Sequence, residues 1–555
     1  MNDKLFLIAI GGTGMRCLES FVHLCAAGMF DNHTIDILTI DTDQSNGNKD
    51  RVEHLINLYN KVKTNDANNV GGQPRTDTFF SAKLNLRRFF TDYSTSQRKT
   101  YNLLAGTTNL SDSQRQDNKD IADLFFEADS VQEFSLDHGY RAQTHLGSML
   151  MYHGIIEAAI NYKRGGNNVK AHEKDLVEYI KELNKNAANA RVFVFGSVFG
   201  GTGASSIPVF PLAISEALKI ITDGTTVINT DKVLFGSTLL TDYFTFNIPT
   251  DAQKSAQKVI ADANNFALNS QAAMSFYEGD ASVKTTYKRM YHIGWPNKSK
   301  INYSKDGDGS VVTGGNGQRN DCHVAEMMCA AAAYDFFNED RKVLESIGEA
   351  DYRFRTVQTD DQSDAMIFRG ASFVGKNNGA TLEKRLGAFL TFAHIILSKN
   401  EGAYNGVNGV DNFMNYIQTD TINYTDINLD QRTEINGYLE EFGYKILNDA
   451  VNFGWIYQIN KSVGNGSFIF APEAFRATEQ ELVHKTDIGM LYGDGIRDWG
   501  PTNMFGNFKG PNSSFDKFCD TFKKDPNSVP YDVQGGDKKE LFFARMFNAI
   551  TTLIG

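Results

Sequence analysis

The chain has 555 residues, of which 41% are hydrophobic and 22% charged, enough to bury a large core and to divide into two or more domains. Its 55 basic and 67 acidic residues leave a formal charge of −12; with no Lys/Arg block, this speaks against nucleic acid or an anionic membrane as a general partner. The cysteines, Cys17, Cys25, Cys322, Cys329 and Cys519, form no C-x-x-C pair, which argues against a zinc framework and for buried thiols in a reducing, cytoplasmic setting.

The N-terminal "MNDKLFLIAIGGTG" has an apolar run only from Leu5 to Ile10, too short for a spanning helix and without a signal-peptide pattern. "KLFLIAI" predicts a buried parallel strand, "GGTGMR" a tight turn, and "CLESFVHLCAAGMF" a helix. "TIDILTIDTD" predicts a second strand. Residues 46–135 are polar and Asn-rich, with "TFFSAKLNL" as a passable strand, and read as insertions. Helices are expected at "HLGSMLMYHGIIEAAINY" and "HEKDLVEYIKELNKN", before the strand and turn "VFVFGSVFGGTGASS". A helix to about Lys219, a strand "KVLFGSTLL", a helical region over 250–276 and a strand near "YKRMYHIGW" follow. "NDCHVAEMMCAAAAYDFF" predicts a helix with one apolar stripe of Val324, Met327, Met328, Ala331 and Tyr334. Further helices are expected at "LGAFLTFAHIILS" and "EINGYLEEFGYKILNDAVNF".

A strand, a glycine-rich turn and a helix N-terminus together make an anion site. Backbone N–H groups at Gly200, Gly201, Thr202, Gly203 and Ala204, with Ser205 behind them, would point at one ligand, and the helix dipole favours negative charge there by about 0.3–1 kcal/mol. On this reading a side chain at Gly201 or Gly203 would occupy phosphate space or forbid a positive φ. The second such turn is "IGGTGMR", with Gly11, Gly12, Thr13, Gly14, Met15 and Arg16. Taken alone it suggests dinucleotide binding, since Gly12 and Gly14 fit G-x-G-x-x-G and Asp41 ends the next strand. Cys17 stands where the third glycine would be. No G-x-x-x-x-G-K-[ST] occurs. A close-packed turn without a ligand remains open for either loop.

Two such loops, the later one "FGGTGAS", resemble those of the tubulin/FtsZ superfamily, and the divergent bacterial tubulin-like group in particular, over residues 4–340 apart from the insertions. The resemblance implies an α/β fold with a Rossmann-like parallel sheet in a nucleotide-binding domain, 1–319. It further implies a central helix and acidic loop at 320–344 and a divergent α+β domain at 345–555. The expected ligand is GTP with Mg2+. "IGGTGMR" is similar to the first nucleotide loop, "IDTDQS", with Asp41 and Asp43, to the second, and "GGTGAS" to the fourth.

"LDHGYRAQTHLG" stands at the third loop, where Arg141 would serve a terminal phosphate or merely flank a capping turn. Asn320 and Asp321, before the central helix, would read the guanine edge or cap that helix. "YDFFNEDRKVLE" matches the N-x-D of the loop that enters the next subunit's site, which casts Asn338, Glu339 and Asp340 as catalytic; the alternative is acidic residues that solvate a helix end. If the helix is continuous, the 18 residues from Asn320 to Asn338 span about 27 Å, so these acids would serve a neighbour. The reading is a slow GTPase that self-associates head to tail into filaments. The alternatives are a nucleotide-binding scaffold without assembly-driven hydrolysis and an NAD-type oxidoreductase, for which no catalytic constellation stands out.

Overall fold

The computed structural model describes residues 3–30, 33–43, 45–63, 78–91, 144–165, 169–226, 232–247, 261–303, 315–359, 366–367, 379–397, 422–442, 454–462 and 538–554, with a few residues between 111 and 140 and at 521–522. A seven-stranded parallel sheet is built from β1 (Lys4–Ile10), β2 (Thr34–Asp41), β3 (Lys83–Phe90), β4 (Ala190–Phe195), β5 (Leu234–Leu240), β6 (Tyr287–Ile293) and β7 (Asp351–Arg355). Their order is β3-β2-β1-β4-β5-β6-β7. The two-residue side chain period sends Phe6, Ile8 and Ile10 into one core and Leu5, Leu7 and Ala9 into the other. A sheet covered on both faces needs such continuous apolar strands.

On the Leu5 face lie α1 (Gly11–Ala26) and α2 (Gly47–Val62); on the Phe6 face lie α3 (Thr144–Arg164), α4 (Ala171–Lys185) and α5 (Gly201–Ile221). The chain winds outward from β1 in one direction and from β4 in the other, so the strand order reverses between these two neighbours. Beyond α6 (Phe266–Gly279) and α7 (Ala281–Thr286), α8 (Val324–Asn338) crosses on the Leu5 face between β6 and β7. That step runs in the same direction as β4–α5–β5 over the opposite face. It therefore has the opposite hand, a departure from the usual rule.

Several expectations change. The region read as insertions supplies α2 and β3, an integral helix and a strand paired with β2 over its whole length. Residue 345 does not end the sheet, because β7 lies beyond it. α8 is not amphipathic: 13 of its 15 residues are buried, since it is packed among the sheet, α1 and a C-terminal helix. After the short α9 (Arg341–Glu345), the C-terminal helices α10 (Gly379–Leu397), α11 (Leu429–Phe442), α12 (Trp455–Ser462) and α13 (Lys538–Ile554) join the core beneath α1 and α2. Phe79 meets Phe392 at 4.7 Å and Phe80 meets Tyr438 at 4.9 Å between ring centroids.

α5 carries Pro208 and Pro211 in its interior. Each proline lacks the N–H that would bond the carbonyl four residues earlier, which orphans Ala204 and Ile207. Two buried tyrosines fill the gap: the Tyr277 hydroxyl donates to the Ala204 carbonyl, and that of Tyr287 to Ile207 at 2.6 Å. Among the described residues, α5 is also the one helix long and apolar enough to cross a membrane, with 56% of that stretch buried. We expect Tyr277→Phe to cost about 1–3 kcal/mol in urea unfolding, the penalty for an unpaired buried carbonyl. An unchanged midpoint would show that the tyrosine only fills space.

Candidate anion site at the strand-order reversal

In open α/β sheets the crevice for a ligand opens at the carboxyl ends of the strands where the order reverses. Here β1 and β4 flank that point; β1 runs directly into Gly11 of α1, and β4 leads through the turn at 196–200 to Gly201 of α5. Neither helix has a side-chain cap; the residues before them are Ile10 and Gly200. The N-cap carbonyl takes the N–H of the fourth residue on, which leaves Gly11, Gly12 and Thr13 on one helix and Gly201, Thr202 and Gly203 on the other without helical acceptors. Gly11 has φ 67°, and a Cβ there would lie 3.1 Å from the Thr202 Cβ. The two donor sets thus share one crevice. Ala204 is already closed into the first turn.

The glycines have different reasons. A Cβ on Gly14 would stand 2.7 Å from the Phe195 carbonyl oxygen, and one on Gly203 would stand 2.7 Å from the Ser197 oxygen. Gly14 lets α1 meet β4 and Gly203 lets α5 fold against the turn that follows β4, so the expectation that Gly203 clears phosphate space is corrected. Gly12, by contrast, faces the tips of Asn46, Asn48 and Gln318 at 3.2–3.6 Å.

Three neighbours expected at the ligand face inward. Met15 is fully buried in the core. Arg16, 2% exposed, pairs with Glu326 of α8 at 2.7 Å and bonds the Tyr243 hydroxyl, so it holds α1 to α8 rather than meeting phosphate. Burial opposes its charge, but Glu326 beside it wins and keeps the guanidinium protonated; burial pushes the Glu326 carboxyl up. Ser205 donates to the Thr202 carbonyl and lies against Gly147 of α3.

Asp41 ends β2 at the same edge, 2% exposed. Its Oδ1 accepts from the N–H groups of Thr42 at 2.8 Å and Asp43 at 3.2 Å, while its Oδ2, like the Thr42 hydroxyl, is buried without a partner. Burial, then the charge of Asp43, pushes its carboxyl up to about 7. Asp43 instead orders a turn: it accepts from Ser45, and its Oδ2 takes the Gly315 N–H at 2.6 Å.

That last bond belongs to a strap, residues 315–320, lying over the start of α2. The Gly47 N–H donates to the Gly315 carbonyl at 3.2 Å, Asn46 donates to Gln318 at 2.8 Å, and Asn48 donates to the Asn320 carboxamide at 3.2 Å. Asn320 is therefore tied to α2, and Asp321 is half-buried with its carbonyl bonded by Tyr303. Neither caps α8, whose N-cap is His323.

No family model, curated protein or solved structure matches the chain. The site therefore rests on its own geometry. Arg141 lies outside the described residues. Asn338, Glu339 and Asp340 stand at the opposite, amino edge of the sheet, near Arg191 and Arg289 at the starts of β4 and β6. Asn338 donates to the Tyr334 carbonyl, Glu339 pairs with buried Arg289 at 2.8 Å, and Asp340 caps α9 through the Lys342 N–H. Sequence reasoning missed Asn46, Asn48 and Gln318. Only the "SNGN" start of α2, with Asn46 as its N-cap, signalled any of them.

Proposed function

We propose that this chain binds a nucleotide by its phosphates across the β1/β4 crevice, and that the nucleotide is GTP, as the resemblance of its loops to those of the tubulin/FtsZ superfamily implies. The observation that carries the reading is the convergence of two uncapped, glycine-opened helix N-termini, six N–H donors in all, where the strand order reverses. Mg2+ usually takes one or two carboxylates with the rest of its shell from phosphate and water. The open oxygen of Asp41 fits that part, and the ion would screen charge between the phosphates.

Head-to-tail assembly with hydrolysis completed by a neighbour belongs to the same proposal, since the acidic loop and the crevice lie at opposite edges of the sheet. A second reading, a nucleotide-binding scaffold without assembly-driven hydrolysis, is favoured by the local bonds that occupy Asn338, Glu339 and Asp340. Titration of the purified chain with GTP and ATP, with pelleting and phosphate release on the same samples, separates them. GTP is expected to outcompete ATP by at least tenfold, about 1.4 kcal/mol. Binding without pelleting or phosphate release would select the scaffold; no binding of either nucleotide would end both readings.

A further inference from the structure

We infer that Arg319, on the strap over α2, supplies the positive charge that neutralises the terminal phosphate of the bound nucleotide; this rests on the nucleotide reading above. Two helix N-termini offer N–H groups and partial charges, whereas a nucleoside triphosphate brings several full negative charges. The nearby arginines are otherwise committed. Arg16 is consumed by Glu326, and Arg51 by Glu19 with a further bond to the Asn320 carbonyl. Arg319 is exposed, and its guanidinium makes no hydrogen bond or ion pair among the described residues.

Its position is built rather than incidental. A Cβ on Gly47, the first residue of α2, would lie 2.7 Å from the Arg319 Cγ and 2.6 Å from the Asn316 oxygen, so the strap seats its arginine stem on a glycine. The preceding residue, Gln318, reaches to 3.6 Å from the Cβ position of Gly12, which brings the strap beside the N–H donors of α1. A cation near a helix N-terminus is opposed by the dipole, so the charge of Arg319 beside the start of α2 gives that helix no support. An anion in the crevice reverses that sign. Independently, the unpartnered buried Oδ2 of Asp41 at the same edge leaves an acceptor open for a ligand hydroxyl or its cation. The arginine's planar fork suits two phosphate oxygens.

The test is calorimetric titration of the full chain and Arg319→Ala with GTP, inorganic tripolyphosphate and guanosine, at two salt concentrations. Arg319→Ala is expected to weaken GTP and tripolyphosphate tenfold or more, to flatten the salt dependence, and to leave guanosine binding and the melting temperature unchanged. Arg319→Lys should restore part of the loss. Wild-type affinity for GTP in Arg319→Ala, or an equal loss for guanosine, would overturn the assignment and leave the nucleotide reading standing. A wild-type chain that binds neither GTP nor tripolyphosphate would remove both.

Discussion

Gly14→Ala and Gly203→Ala should each leave little or no folded protein, while Gly12→Ala should fold normally and bind nucleotide poorly. The first two place a methyl 2.7 Å from a backbone oxygen, of Phe195 and Ser197 respectively. Backbone cannot rotate aside as a side chain can, so the cost lies at or above the upper end of the 1–3 kcal/mol usual for overpacking. At Gly12 the nearest atoms are carboxamide tips at 3.2–3.6 Å, which can yield. Alanine meets no backbone strain at Gly12 either, whose φ is not positive. Its methyl would nevertheless intrude on the donors at the mouth of α1. Urea unfolding and GTP titration of the three variants read out the split. A stable Gly203→Ala with lost binding would restore the view that this glycine clears space for phosphate.

Arg16→Met is expected to destabilise the chain by about 3–5 kcal/mol, because it leaves Glu326 buried beside Tyr243 without its cation. Glu326 is 0% exposed, and its remaining donors are the Tyr243 hydroxyl and the His323 N–H. Burial already raises its pKa, and loss of the arginine raises it further. A carboxyl raised in the folded state costs stability as pH climbs from its unfolded value toward its folded one. The deficit of Arg16→Met should therefore shrink as pH is lowered toward 4. The double variant Arg16→Met/Glu326→Leu should recover most of the loss, since no charge then remains unpaired. Single and double variants of equal stability in denaturant melts at pH 7 would contradict the pairing.

Arg16 also shows where sequence stops. Its partner Glu326 lies 310 positions away, and no spacing within "GGTGMR" distinguishes an arginine that meets phosphate from one that crosses to another helix. β1, α1, β4 and α5 were legible because strands buried on both faces are continuously apolar and glycine-rich turns follow them, and β2 was legible from Ile35, Ile37, Leu38 and Ile40. α2 was not, because "GNKDRVEHLINLYNKV" is mostly polar; β3 was legible only in part, since the expected strand "TFFSAKLNL" overlaps its first four residues and stops where charge, Arg87 and Arg88, interrupts the apolar pattern. The edge strand "DYRFR" of β7 escaped for the same reason. Glycine letters revealed the crevice but not the division of labour within it, since a missing Cβ reads alike whether backbone or ligand fills its place. The strap, joined to α2 by carboxamides some 270 positions apart, left no local trace.

The crevice draws on segments near residues 11, 41, 201 and 318, and α8 behind it depends on a fifth: the N–H groups of Cys322 and Val324 donate to Gln458 at 2.6 Å and to the Ser462 hydroxyl at 2.9 Å on α12. Contacts of such long sequence separation form slowly, and a chain leaves the ribosome at about 5–20 residues per second. β1, α1 and β2 thus emerge many seconds before the parts that complete the crevice. A nascent chain stalled before residue 200 would have one glycine loop and no crevice, and one stalled before 455 would have the crevice without the donors' partners that hold α8. The crevice is thus a late product of synthesis, closed well after the first strands exist, and any ligand it takes must wait for it.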